Sequence, residues 1–317
     1  MRIIHTIEPL KPHLLALIHE KTGSSVISLD RQAFINFREE YSKVEVMICR
    51  DRDDVSSIID FCPNLKMLFI VSTGVEKLPF DKLQNSNILV SNTGGVNCGI
   101  MSQYAMGYIL SQSVRVCENL INQKNHHWKK YQCVDSLEGK NLLIVGAGRT
   151  GQLIAAKAIS FGINCIGIKN HISELANFIE ITTLDNLDKY LSWADFVVCT
   201  IPLTPATTNL FNYDRFCRMK STATFINISR GKHVVTLDLI RALKEEKIKS
   251  AILDVFEEEP LPPKSELWDL PNLFISPHSS GRLENFMDEA IRCFINNYNA
   301  FQKGELLPNT VNLTDGY

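Results

Sequence analysis

Short apolar runs and helical patterns alternate along almost the whole chain. In the first hundred residues "RIIHTI", "SSVISL", "VEVMICR", "LKMLFIV" and "NILVS" read as strands, with "KPHLLALIHEK", "DDVSSIIDF" and "EKLPFDKLQ" as helices between them. Strands that alternate with helices form crossover units and a parallel sheet. A longer apolar stretch from Ile100 to about Asn122 predicts one long, mostly buried helix, and "NQKNHHWKKY" after it a solvated helix end or loop. A second series begins at Asn141. Its strands are "NLLIVGAG", "NCIGIK", "DFVVCTIP", "ATFINIS" and "SAILDVF", and its helices "RTGQLIAAKAISF", "TLDNLDKYLSW", "NYDRFCRM" and "TLDLIRALKEEK". Thr204 before Pro205 reads as a helix cap with proline in the first turn. A last strand, "NLFISP", precedes a helix from about Leu283 to Lys303. Neither a repeat of fixed period nor a low-complexity segment interrupts the pattern.

At 317 residues the chain exceeds one ordinary core, so two domains are expected. Apolar content of 45% and charged content of 21% are those of a soluble globular protein. A net charge of −2 gives no support for wholesale binding to nucleic acid or membrane. The apolar run at the N-terminus breaks at Glu8, Pro9 and Lys11, so a signal peptide is not expected, and no segment approaches the roughly 20 apolar residues of a membrane span. Nine cysteines occur without C-x-x-C or zinc-finger spacing, several of them inside apolar runs. Reduced thiols in the cytoplasm are therefore expected, and no metal site. His126 and His127 are adjacent and would point about 100° apart on a helix, which does not suit one metal ion.

"LLIVGAGRTGQLIAAKA" contains G-x-G-x-x-G at Gly146, Gly148 and Gly151. The motif alone is weak, but here an apolar strand ends at Gly146 and an apolar-faced helix begins near Arg149. In that setting Gly146 allows the tight turn, Gly148 lets the backbone approach a pyrophosphate, and Gly151 lets helix and strand pack closely. The amide groups and dipole of the helix then hold phosphates. Such a turn usually has an acid about 20 residues further on, at the ribose hydroxyls. Here Lys169 stands eighteen residues beyond Gly151, with Asn170 and His171 beside it, and the first acid is Glu174. A carboxylate would repel a 2′-phosphate and an ammonium attracts one, so NADP is the expected cofactor, with NAD possible. The plain alternative is a lysine that solvates a strand end.

Three further polar residues stand just past apolar strands: Arg230 in "ATFINISRG", Glu259 in "AILDVFEEEP" and His278 in "NLFISPHSSG". Ligands of open α/β sheets bind outside the carboxyl ends of strands. A guanidinium binds a carboxylate and polarises a carbonyl. An imidazole, ordinarily titrating at about 6.5, donates a proton as hydride arrives at carbon. A carboxylate behind the ring fixes its tautomer. Taken singly, each of the three also reads as an ordinary surface or loop residue.

With these residues in place the chain resembles the D-isomer-specific 2-hydroxyacid dehydrogenases over nearly its whole length. The resemblance rests on "LEGKNLLIVGAGRTG", "ADFVVCTIPLTPATTNLFN", "MKSTATFINISRGKHVV", "AILDVFEEEPLPPKSELWDLPNLFISPH", "VSTGVEKLP" and "SNTGGVN". It is nearest to the glyoxylate/hydroxypyruvate reductase-like branch. It implies an α/β fold of two Rossmann-like, doubly wound parallel-sheet domains with a cleft between them. Residues 1–98 plus 283–317 would form the substrate-binding domain and 99–282 the dinucleotide-binding domain. Arg230 would bind the 2-oxo acid, and His278 paired with Glu259 would be the acid/base. Gly146, Gly148, Arg149, Thr150, Gly151, Lys169, Asn170, Pro202, Thr207, Ser229 and Asp254 would meet the cofactor, Asp254 at the nicotinamide carboxamide. The amides of Gly74 and Val75 would grip the substrate carboxylate, and Trp268 would be one pocket wall. A homodimer is expected. The chain departs from the family at "NTGGV", where Asn-x-Pro-Gly is common, and at Ser102-Gln103, where the second residue is often glutamate. The alternatives are a formate-oxidising relative, against which Glu259 argues because glutamine usually takes its place, and a nucleotide-sensing corepressor-like protein without significant turnover.

Overall fold

The structure, a computed structural model, describes residues 3–28, 41–314 and 316. Arg2 and Leu29, outer residues of two expected strands, lie outside the described residues. The chain divides into two compact units, Met1–Val96 with Leu283–Tyr317, and Asn97–Arg282.

The first unit is built on five parallel strands: β1 (Ile3–Thr6), β2 (Ser25–Ser28), β3 (Val46–Cys49), β4 (Met67–Ile70) and β5 (Leu89–Asn92). Their order, β2-β1-β3-β4-β5, is that of a flavodoxin-like sheet. Every residue of β3 and β4 is buried, as expected of central strands covered on both faces. One of the covers is the C-terminal helix Phe286–Lys303, whose Ala290, Ile291, Phe294 and Tyr298 pack with Ile4, Leu14, Ile18 and Phe69.

The second unit holds seven parallel strands: β6 (Asn141–Val145), β7 (Asn164–Ile168), β8 (Glu180–Thr182), β9 (Phe196–Cys199), β10 (Thr224–Asn227), β11 (Ser250–Leu253) and β12 (Leu273–Ile275). The order is β12-β11-β10-β9-β6-β7-β8. The chain starts at β6, winds outward to β8, then returns to β9 and winds the other way. The reversal between β6 and β9 is the switch point at which doubly wound sheets bind ligands. β9, β10 and β11 are buried at every position.

Two local expectations give way. The stretch expected as one long helix is two, Cys98–Ser113 and Val116–Lys124. Ser113 ends the first because its carbonyl accepts from Asp135 N (3.0 Å) and its hydroxyl donates to Asp135 O, while Arg115 turns left-handed at φ 57°. The second helix buries none of its residues. Thr204-Pro205 caps a single turn and no helix. Thr207 N and Thr208 N both donate to Thr204 O, at 3.1 and 3.0 Å, and Asn209 then leaves with φ 55°. The edge strand β8 was not expected, since "EIT" is short and mostly polar.

Candidate active site

Read along the carboxyl edge of the second sheet, the candidate residues fall in strand order. The glycine turn follows β6. Gly146 has φ 114°, and a Cβ there would stand 2.7 Å from the backbone at Thr200 and Ile201. A Cβ on Gly151 would strike the carbonyl of Gly146 and lie 2.9 Å from Ile144 Cγ2, so only glycine lets the helix start this close to the strand. A Cβ on Gly148 would meet nothing within 4 Å, which leaves room over the turn. The helix Arg149–Ala158 begins without a side-chain cap or an acid in its first turn. Its leading amides therefore suit an anion, and these features fit a dinucleotide pyrophosphate. The Thr150 hydroxyl faces inward and donates to Cys98 Sγ at 3.1 Å.

Lys169 follows β7, one strand over. The carbonyl of Ile168 accepts from Gly146 N and Ala147 N (3.1 and 2.8 Å), so the lysine leaves the sheet directly beside the glycine turn. Its own amide donates to Thr182 O at 2.8 Å, and Asn170 and His171 beyond it are exposed.

On the other side of the switch point, Pro202 and Thr207 follow β9. Thr207 is buried. Its Oγ1 donates to Pro202 O (2.8 Å) and accepts from Thr204 N (2.8 Å), so it braces the loop from within. Ser229 and Arg230 follow β10. Asn227, enclosed at the strand end, accepts from Ser229 N (3.1 Å) and donates to Arg230 O (2.9 Å). Arg230 is half-buried, and its Nη1 donates to Ser229 O at 2.8 Å. A Cβ on Gly231 would run into the backbone of Phe256 and Glu257, so the Arg230 loop presses against the loop that leads to Glu259. Cys199 Sγ lies 3.3 Å from Ser229 Oγ, but burial pushes its thiol up to about 11 and keeps it protonated.

Asp254, Glu259 and His278 follow β11 and β12. His278 Nδ1 lies 2.7 Å from Glu259 Oε2, and Glu259 Oε1 accepts from Phe256 N at 2.9 Å. One carboxylate oxygen is thus anchored to the main chain and the other aligns the ring, which leaves Nε2 for a reacting group. Asp254 is fully buried. Its Oδ1 accepts from Ser276 Oγ (2.6 Å) and Ser279 N (2.8 Å), and its Oδ2 from Ser280 N (2.9 Å). Tyr104 closes the network on Ser276, and burial keeps its phenol protonated. These bonds hold a turn in which His278 has φ 51°, a left-handed conformation uncommon for a side-chain-bearing residue. A bond from Asp254 to a carboxamide would use the lone pair that the three leave.

Gly74 and Val75 belong to the first unit, in the loop after β4. Ser72 O accepts from Thr93 N (3.3 Å) and Thr73 O from Asn92 Nδ2 (3.0 Å), which fixes the loop. The amides of Gly74 and Val75 donate to nothing among the described residues. Trp268 is half exposed, with its indole N–H donating to Pro262 O at 3.0 Å. Among the described residues no group of three or more His, Cys, Asp or Glu is placed to hold a metal ion, and no helix is long and apolar enough to cross a membrane. The sequence reading passed over Asn227, Gly231, His233, Ser276 and Tyr104. A polar Asn closing an apolar strand was the one available signal.

A glycine turn at the switch point and a histidine–carboxylate pair further along the same edge define a dinucleotide-dependent oxidoreductase. The family profile described as "D-isomer specific 2-hydroxyacid dehydrogenase, NAD binding domain" matches residues 106–280. "Glyoxylate/hydroxypyruvate reductase B" of Escherichia fergusonii is 31% identical over 297 residues, 92% of this chain and 91% of that protein. "D-3-phosphoglycerate dehydrogenase" of Methanocaldococcus jannaschii is 29% identical over 279 residues, 87% of this chain and 53% of that protein, so the chain spans about half of its length. The crystal structure of a D-isomer specific 2-hydroxyacid dehydrogenase family protein from Aeromonas salmonicida superposes with a TM-score of 0.85 at 29% identity, covering 98% of this chain and 99% of that one. The chain belongs to the D-isomer specific 2-hydroxyacid dehydrogenase family, whose members are NAD(P)-dependent oxidoreductases.

Proposed function

We propose that the protein reduces a small 2-oxo acid to the D-2-hydroxy acid and prefers NADPH to NADH. The observation that carries this reading is the 2.7 Å pair of His278 and Glu259 on the sheet edge that also bears Arg230 and the glycine turn. When bound, the reduced nicotinamide supplies the hydride. Arg230 pairs with the substrate carboxylate and polarises the carbonyl. In the first unit, the amides of Gly74 and Val75 suit a carboxylate. His278, its ring fixed through Nδ1, gives the proton on Nε2 to the carbonyl oxygen.

For the cofactor, the turn from Gly146 to Gly151 with Arg149 and the amide of Thr150 receives the pyrophosphate. Lys169 and Asn170 receive the 2′-phosphate. The loop braced by Thr207 at Pro202, with Ser229 and Asp254, flanks the nicotinamide. Glyoxylate and hydroxypyruvate are the first substrates to try, since they name the Escherichia fergusonii relative. The reading extends to a cytoplasmic homodimer. Val116, Leu120, Ile121, Trp128, Tyr131 and Val134 all stand exposed in one stretch of chain, and apolar surface so concentrated favours association. The nine cysteines are free, as a reducing compartment allows.

The test is a panel of glyoxylate, hydroxypyruvate and a branched 2-oxo acid, each with NADPH and with NADH. Turnover of at least one acid is expected, with kcat/KM about 10- to 100-fold higher for NADPH, since one lysine–phosphate contact and one absent repulsion each contribute roughly fivefold or more. If neither cofactor is oxidised with any of the acids, the reading fails.

A further inference from the structure

His233 is the one fully buried histidine on this edge. It closes the short 3-10 turn Gly231–His233 that follows Arg230. Its Nδ1 lies 2.9 Å from Ser229 Oγ and 3.1 Å from the carbonyl oxygen of Arg230. Its Nε2 lies 3.3 Å from the carbonyl oxygen of Pro202. The imidazole is therefore a strut between the loop after β10 and the loop after β9.

Each end of the strut reaches a node that is already held. Pro202 O also accepts from Thr207 Oγ1 (2.8 Å), and Arg230 O from Asn227 Nδ2 (2.9 Å). A carbonyl only accepts, and the Ser229 hydroxyl donates to Asn227 Oδ1 at 3.1 Å, so each ring nitrogen meets an oxygen to which an N–H can donate. An aliphatic side chain would fill the same space without desolvating two nitrogens. What the ring adds is direction, because each nitrogen selects one position of its loop. The loop backbone in turn sets the Arg230 guanidinium, which folds back on Ser229 O.

We infer that His233 is a positioning residue that couples dinucleotide binding at the Pro202–Thr207 loop to carboxylate binding at Arg230. The inference rests on the functional reading above. A dinucleotide that settles against Pro202 fixes the imidazole, and the imidazole fixes Ser229 and Arg230 in the geometry that receives the substrate. Such coupling is reciprocal, so a substrate analogue should tighten the cofactor by the same factor.

The experiment measures the Kd of oxamate, a 2-oxo acid analogue that cannot be reduced, for the free protein and for the protein saturated with NADPH. It does so in wild type and in His233→Leu, His233→Gln and His233→Asn, with thermal melting and NADPH affinity recorded for each. The amide of glutamine reaches about as far as Nε2, and that of asparagine about as far as Nδ1. NADPH should tighten oxamate in wild type. In the leucine variant that gain should fall by about three- to tenfold, the effect of one buried hydrogen bond. Glutamine should restore NADPH affinity but not the coupling, and asparagine should restore oxamate affinity in the free protein but not the coupling. If the leucine variant is too unstable to measure, the glutamine and asparagine variants decide the matter. Wild-type coupling in folded variants, or no coupling in wild type, overturns the inference. A wild type that reduces no 2-oxo acid overturns the functional reading first and this inference with it, whereas turnover with unchanged coupling in the variants overturns this inference alone.

Discussion

Replacing Asp254 by asparagine separates two roles that one residue could play. The carboxylate is fully buried and receives three hydrogen bonds, from Ser276 Oγ, Ser279 N and Ser280 N, at 2.6, 2.8 and 2.9 Å. An asparagine oxygen in the Oδ1 position keeps the first two. Its NH2 then faces Ser280 N, donor against donor, and a buried amide loses its partner. That loss costs about 1–3 kcal/mol, since bonds to a charged acceptor are at the strong end of the range. At roughly 2–4 °C per kcal/mol for a domain of this size, melting should fall by about 2–12 °C. The bond being lost also helps hold His278 at φ 51°, a conformation that itself costs about 1–3 kcal/mol. Weakening its support by about 2 kcal/mol should lower the competent population, and with it kcat, by roughly 10- to 30-fold. NADPH affinity should stay within about threefold, because the three bonds are internal to the turn. The assays are differential scanning calorimetry, steady-state kinetics at saturating NADPH, and a direct NADPH titration. Unchanged melting and kcat beside a large loss of NADPH affinity would refute this reasoning and make Asp254 chiefly a ligand contact.

Lys169→Asp should reverse the cofactor ratio, lowering kcat/KM with NADPH and raising it with NADH; a ratio equal to wild type at fixed low salt would mean that Lys169 only solvates the end of β7. Arg230→Lys should lose about 100-fold or more in kcat/KM for the 2-oxo acid, because an ammonium cannot make the planar two-pronged contact; a loss of only a few-fold would remove Arg230 as the anchor. Iodoacetamide at mildly alkaline pH should label the exposed Cys133 and Cys217 and spare Cys165 and Cys199, whose thiols burial pushes up to about 12 and about 11. Peptide mapping that finds Cys199 labelled as fast as Cys133 would contradict that burial.

Much of the sheet pattern was legible because buried parallel strands carry their signal in consecutive residues, as "FVVC" and "SAIL" do. The glycine turn was legible for a related reason: Gly151 answers to a steric need within a few residues of itself and Gly146 to a local φ of 114°, although the backbone crowding Gly146, at Thr200 and Ile201, is distant in sequence. What escaped the sequence depends on distant contacts or on backbone that side chains rarely adopt. Ser276 meets Tyr104 across 172 positions, and nothing in "SPHSS" announces it. Arg115 breaks an apolar stretch at φ 57° that propensity alone would carry through. His233 follows the polar residues Ser229, Arg230 and Lys232 in sequence, yet it is enclosed, with Nε2 against the Pro202 carbonyl. Thr207 and Asp254 stand at the sheet edge with their oxygens turned inward, and no local pattern in the sequence conveys that orientation.

The central claim is that His278 delivers the proton in the reduction of a 2-oxo acid. The most direct measurement is single-turnover NADPH oxidation by His278→Ala against wild type, with glyoxylate or hydroxypyruvate, whichever wild type turns over, saturating. General acid catalysis contributes about 10²–10⁴-fold, so the chemical step should slow by that factor while the NADPH Kd stays close to wild type. A variant that oxidises bound NADPH at near the wild-type rate would contradict the account.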